Sequence, residues 1–182
     1  MRVIAGKYRG KVLNPPQHKN FRPTTDRVKE TLFNILVSRG AVEDAEVLDL
    51  FCGSGALGIE ALSRGAVKAV FNDAGSRSIA VTKKNLDTCG IKSQVMCLDY
   101  SVALKRLQGE QFDLIFLDPP YDETYAEKLF ILIDEYNILR KDGMIVFEHY
   151  IKKDLQFLEK DFIIDSRVCG NTVLSFLEKK SA

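Results

Sequence analysis

Two segments carry residue types at spacings that can do chemistry. The first is Asp49-Leu50-Phe51-Cys52-Gly53-Ser54-Gly55-Ala56-Leu57-Gly58, and the second, sixty residues beyond it, is Asp118-Pro119-Pro120-Tyr121. Gly53, Gly55 and Gly58 have the spacing of a loop that turns tightly against a nucleotide cofactor and then opens a helix. That spacing by itself serves a nicotinamide dinucleotide as well as S-adenosylmethionine, and Asp73, twenty residues past Gly53, suits the ribose hydroxyls of either. Asp49 tips the balance, because a carboxylate before the loop suits a methionine ammonium better than a pyrophosphate. The chain also lacks the length for a separate substrate domain and shows no Tyr-Lys, His or Cys arrangement suited to hydride transfer. The paired prolines of the second segment restrict the residue before them to extended conformations, which aims Asp118 and the nearby carbonyls at a planar amine, with Tyr121 covering a ring face. A conjugated amine is a poor nucleophile, so acceptors fixed on its hydrogens help it attack a sulfonium methyl group. Together the segments point to methyl transfer from S-adenosylmethionine to an exocyclic amine, with Asp118, Pro119 and Tyr121 at the chemistry. The cofactor would lie on Asp49, Phe51, Gly53, Ser54, Gly55, Gly58 and Asp73, with Asp99 at the adenine edge.

Alternating strand and helix patterns position these groups. Val47–Phe51 reads as a strand, Ala56–Arg64 as a helix, Ala69–Phe71 as a strand, 76–88 as a helix and 94–98 as a short strand. Phe112–Leu117 is apolar on both nominal faces, as in a buried parallel strand. A helix over 123–135, a strand at Met144–Phe147, a weaker helix near 151–159 and strands at 161–167 and 172–178 follow. Cys169-Gly170-Asn171 is a hairpin connection, so an antiparallel pair should close an otherwise parallel sheet covered by helices on both sides. Ahead of this unit, Arg2–Ala5 and Lys11–Leu13 flank a glycine-bounded basic turn, Gly6-Lys7-Tyr8-Arg9-Gly10. Pro15-Pro16 then break the pairing, and a helix over 26–38 carries Val28, Leu32, Ile35 and Leu36 on its apolar stripe. The expected organisation is a basic hairpin extension over 1–20 and a main domain over 21–182.

Hydrophobic residues at 46% and charged residues at 28% are ordinary for a water-soluble chain, and no run is long enough to span a bilayer. The start, Met1-Arg2-Val3-Ile4-Ala5-Gly6, has no signal-peptide core, so a cytoplasmic location and no membrane partner are expected. Cys52, Cys89, Cys97 and Cys169 lack zinc spacing, and no metal site is expected. The net charge of +1 conceals an asymmetry. Residues 1–40 hold nine Lys or Arg against two Asp or Glu, whereas the remainder holds 17 against 23. A basic end of this kind suits phosphate contacts, and a merely solubilising charged end is the plainer alternative.

Over nearly all 182 residues the sequence resembles the bacterial 16S ribosomal RNA guanine-N2 methyltransferases of the RsmD family. The resemblance is carried by Arg2–Lys11, by Arg22-Pro23-Thr24-Thr25-Asp26-Arg27-Val28-Lys29-Glu30-Thr31-Leu32-Phe33, by the glycine loop, by Asp118–Tyr121 and by Glu148-His149. It implies a class I S-adenosylmethionine-dependent methyltransferase fold: a mostly parallel seven-stranded sheet with an antiparallel C-terminal pair and a small N-terminal β-hairpin. It further implies methylation of the N2 amine of one guanine, with 16S ribosomal RNA and the small ribosomal subunit as partners of a monomeric enzyme. The target base would leave its stack to meet Asp118. Arg2, Lys7, Tyr8, Arg9, Lys11, Arg22, Arg27 and Lys29 are expected at the RNA surface, and Tyr125 along the pocket wall. Arg22, Arg27 and Lys29 are equally open to helix packing or internal ion pairs. Two other functions remain open on the residues: an amino-methyltransferase for another base or a protein amide, and a noncatalytic RNA-binding assembly factor.

Overall fold

In a computed structural model, which describes residues 1–15, 26–119, 126–150, 155–170 and 172–180, seven strands form one sheet. The chain runs α1 (Asp26–Ser38), β1 (Glu46–Asp49), α2 (Ala56–Ser63), β2 (Lys68–Asn72), α3 (Ser76–Cys89), β3 (Gln94–Met96), α4 (Tyr100–Arg106), β4 (Phe112–Leu117), α5 (Ala126–Glu135), β5 (Leu139–Tyr150), β6 (Phe162–Cys169) and β7 (Thr172–Lys179). The spatial order is β3-β2-β1-β4-β5-β7-β6, with β7 antiparallel to both β5 and β6 and the other pairs parallel. This is the class I methyltransferase sheet with an N-terminal extension. Chain order reverses between β1 and β4, and a crevice opens there at the carboxyl ends of parallel strands.

Strand alternation divides the core in two. Val47, Phe71, Phe116, Val146 and Phe176 face one side, where they pack with Leu32, Phe33 and Leu36 of α1, Ile59 of α2 and Ile79 and Leu86 of α3. Leu48, Val70, Ile115, Leu117, Ile145 and Phe147 face the other side and meet α4 and α5 through Ala103, Leu104, Leu129, Phe130 and Ile133. Among the described residues, no helix is long and apolar enough to cross a membrane.

Three elements differ from the expectation. Helix α4 was not anticipated, and its first turn is capped by Asp99, whose carboxylate accepts from the Ser101 amide. Strand β5 begins at Leu139 rather than Met144, and a register shift between Phe112 and Leu114 absorbs the irregular pairing beside Gly143. The weak helix near 151–159 is a single 3-10 turn at Gln156–Leu158 among the described residues.

The extension is held by one antiparallel bridge, Arg2 to Val12, and lies against α2 and α3. At Gly6, with φ of 81°, an ideal Cβ would lie 1.7 Å from the Ser63 carbonyl oxygen, so only glycine permits this approach. The Lys7 amide donates to that carbonyl at 2.7 Å and the Tyr8 amide to Ser63 Oγ at 2.9 Å. Nearer the start, Glu60 Oε2 and Oε1 accept from the Ile4 and Ala5 amides at 2.9 and 3.1 Å.

Candidate active site

The site grows from the end of β1. Asp49 is 3% exposed, and its Oδ2 accepts from the Gly58 amide at 3.0 Å. Burial pushes the carboxyl up to about 7, opposed by that hydrogen bond and assisted by the nearby Asp73 charge. Between these two residues the loop turns through Gly53 and Gly55, at φ of 54° and 76°, and Gly55 occupies the N-cap of α2. Gly58 presses on the neighbouring strand: an ideal Cβ there would lie 2.4 Å from the Phe71 ring. Close packing of helix on strand therefore aims the amino end of α2 into the crevice.

Side chains from β2 and α3 hold the loop's shape. Asp73 accepts from the Gly53 amide through Oδ2 at 3.0 Å and from the Gly75 amide through Oδ1 at 2.7 Å. Each carboxylate oxygen retains a lone-pair direction for a hydroxyl. Thr82 Oγ1 donates to the Gly53 carbonyl at 3.0 Å and lies 3.4 Å from Cys52 Sγ, while Asn85 Nδ2 donates to the Ser54 carbonyl at 2.9 Å. Buried Asn72 donates to the Leu50 and Leu98 carbonyls at 3.2 and 3.0 Å, and its Oδ1 has no partner among the described residues. Cys52 is buried, and desolvation drives its thiol well above the ordinary value, so it is a wall and not a nucleophile. The sequence reading passed over Thr82, Asn85 and Asn72. A signal existed in Ser78, Thr82, Asn85 and Cys89, which sit on one helical stripe of α3 and are all buried.

One small cavity is lined by Met1, Asp49, Phe51, Cys52, Gly53, Ser54, Ala56, Leu57 and Asp118. It joins the two motifs: Asp49 ends β1, Asp118 follows β4, and the strands are neighbours. Asp118 is half-buried, and desolvation, then the Glu148 and Asp49 charges, raise its carboxyl well above the ordinary value. Met1 was not anticipated here; Ser54 Oγ lies 3.9 Å from its sulfur. Phe51 is braced by Tyr100 at a ring separation of 6.0 Å. Tyr121, Tyr125 and Arg22 lie outside the described residues. Asp99 is exposed at the end of β3, occupied in capping α4.

The expected RNA residues divide. Arg2, Lys7, Arg9, Lys11 and Arg27 are exposed, and Tyr8 is half-buried with the Lys7 ammonium 5.4 Å from its ring centre. Lys29 is a correction to the expectation. It is 1% exposed, its Nζ donates to the Arg2 carbonyl at 2.6 Å, and it lies 3.3 Å from Glu60 Oε2. Glu60 is fully buried and also receives Arg64 Nε at 2.8 Å. The cause is position: Lys29 shares the inward stripe of α1 with Leu32, Phe33 and Leu36. His149 likewise turns away from the crevice, toward the Phe147 ring, with Nε2 2.8 Å from Ser175 Oγ.

Comparisons with known proteins agree with this geometry. The family described as Conserved hypothetical protein 95 matches residues 1–178. The Bacillus subtilis protein named "Putative rRNA methyltransferase YlbH" is 46% identical over 188 residues, covering 99% of this chain and all of that one. Ribosomal RNA small subunit methyltransferase D of Haemophilus influenzae is 37% identical, over 93% of this chain and 89% of its own. The solved structure of the Escherichia coli protein yhhF superposes with a TM-score of 0.87 at 30% identity, covering 100% and 99% of the two chains.

Proposed function

The chain belongs to the Conserved hypothetical protein 95 family, whose relatives include a ribosomal RNA small subunit methyltransferase, and we propose that it methylates the exocyclic N2 amine of one guanine in 16S ribosomal RNA within the small subunit. One observation carries the reading: Asp49, the glycine loop and Asp118 line a single cavity at the β1–β4 crevice. S-adenosylmethionine fits this site, since Gly53 and Gly55 allow close backbone approach while Asp49 and Asp73, which already hold the Gly58, Gly53 and Gly75 amides, keep further acceptor directions. When bound it would supply an electrophilic methyl group on a cationic sulfur, with a neutral thioether as the leaving group. Asp49 would accept from the amino acid ammonium, Gly53–Gly55 would lie against the amino acid end, Asp73 would take the ribose hydroxyls and Asp99 the adenine edge. Phe51 forms the apolar wall.

Asp118 and the Pro119 carbonyl accept the hydrogens of the target amine, which points the nitrogen lone pair at the methyl carbon. As the N–C bond forms, the nitrogen becomes cationic and sheds one proton. Asp118 is suited to receive it, because its raised proton affinity is opposed only while a cation sits beside it. Tyr121 is assigned to the face of the base. Lys7, Tyr8, Arg9, Lys11, Arg2 and Arg27, with Arg22, hold RNA phosphates.

The test is transfer of a labelled methyl group to free 16S RNA and to unmodified small subunits, with the labelled nucleoside identified. Label at N2 of one guanine, reduced ~100-fold or more in Asp118→Ala while cofactor affinity stays within about threefold, is the expected outcome. Label at adenine N6, or equal losses of transfer and cofactor binding, would reject the assignment.

A further inference from the structure

The mechanism above leaves unused a carboxylate beside Asp118. Asp49 pairs across the sheet with Phe116, Phe116 with Val146 and Val146 with Phe176, so these four residues form one row on the α1–α3 face. Two residues further along, side-chain alternation returns to the same face, giving Asp118 after β4 and Glu148 in β5, with Leu174 opposite Glu148 in β7. Leu117 pairs with Phe147, so Asp118, the residue after β4, and Glu148 come next in register on neighbouring strands, whose usual spacing is about 4.8 Å. Glu148 is half-buried, and its charge is felt by Asp118 on one flank and by the Cys169 thiol at the end of β6 on the other. Asp118 thus lines the crevice, and Glu148 stands beside it on the neighbouring strand.

Resting on the proposed function, we infer that Glu148 is the residue that selects guanine, accepting the N1–H while Asp118 accepts a hydrogen of the N2 amine. Guanine presents these two donors side by side on its Watson–Crick edge, and a pair of acceptors side by side matches them. Adenine presents an acceptor at N1, which would meet the Glu148 carboxylate lone pair to lone pair. A site built to accept a hydrogen bond rejects an analogue lacking that donor far more strongly than an apolar pocket rejects a change of shape. The base also relieves the repulsion between the two carboxylates by placing donors on both. Glu148 therefore sets which base is methylated, whereas Asp118 acts on the reacting nitrogen.

The experiment compares 16S RNA carrying guanine or 2-aminopurine at the mapped position, assembled into subunits. 2-Aminopurine keeps the N2 amine but has an acceptor at N1. The wild-type protein should favour guanine in kcat/KM by on the order of 100-fold. Glu148→Gln, whose amide can donate to that acceptor, should bring the ratio to roughly 10 or less with cofactor affinity intact. Glu148→Asp, with acceptors at shorter reach, should hold a higher ratio than Glu148→Gln. Guanine transfer with an unchanged ratio in Glu148→Gln, or equal ratios in the two variants, would overturn the role of Glu148 alone. Wild-type transfer to adenine N6 would overturn the substrate reading and this inference with it.

Discussion

Replacing Asp49 with Asn should stabilise the cofactor-free protein while it weakens cofactor binding. The carboxyl ordinarily titrates near 3.8 and is held at about 7 in the fold. A carboxyl whose folded value is raised leaves full stability below its unfolded value, and that stability is lost as pH climbs toward the folded value. For Asp49 the loss runs from about pH 4 to pH 7 and then levels, reaching ~4 kcal/mol. Asn carries no such penalty, and its side-chain oxygen can still accept from the Gly58 amide. The stability gap between Asp49→Asn and the parent should widen by roughly 2–3 kcal/mol between pH 5 and pH 7.5, read by urea unfolding without cofactor. Saturating S-adenosylmethionine should narrow it at pH 7.5, because only the parent offers a carboxylate to the ammonium. A gap that stays level from pH 5 to 7.5, or a variant less stable than the parent at pH 7.5, would refute the assignment of a desolvated, functionally retained carboxyl.

Further outcomes follow from the packing and the surface charge. Lys29→Ala leaves Glu60 buried with only the Ile4 and Ala5 amides and Arg64, and should cost about 3 kcal/mol in urea unfolding. The salt dependence of RNA binding should not change in that variant, whereas Lys7→Ala should lower the log–log salt slope by about one. Gly58→Ala drives a methyl group into the Phe71 ring and should cost about 1–3 kcal/mol, with a loss of cofactor affinity seen by calorimetry as α2 backs away from the loop.

What the sequence revealed and what it hid have separate physical causes. The parallel strands were readable because strands buried on both faces are apolar over most of their length, as Phe112–Leu117 is apart from Asp113, which pairs with Arg140. The glycine loop was readable because its close approaches exclude other residues. Helix α4 was hidden by its seven-residue length and because Asp99 has two plausible uses, as a cap and as an adenine contact. Lys29 stayed open between the RNA surface and an internal ion pair, because a lysine in a basic segment suits either. Its partner is a lone Glu60 in the otherwise apolar stretch Ala56–Ala61, 31 positions away in sequence. Opposite charges set into two apolar stripes are the signal of a buried pair, but only the fold shows that the stripes meet.

That pair changes the meaning of the basic end. Lys29 faces inward to Glu60, Arg39 is paired with Asp165 and Glu178, and Arg2 reaches Asp26 at 3.8 Å, so part of the local positive charge holds the chain together. Among the described residues of the extension, the exposed remainder, Lys7, Arg9 and Lys11, lies at its turn. Met1 touches the cofactor loop at Ser54, while Lys7 and Tyr8 are fastened to Ser63 at the far end of α2. The eight residues of α2 alone span about 12 Å, so the basic tip and Asp118 cannot serve the same nucleotide. An RNA that uses both must follow the outside of α2, which favours a substrate folded to present a base and a distant phosphate together. On the proposed function, Lys29 and Glu60 would help to hold that spacing without contact to RNA, because they tie the backbone of Arg2, Ile4 and Ala5 to α1 and α2.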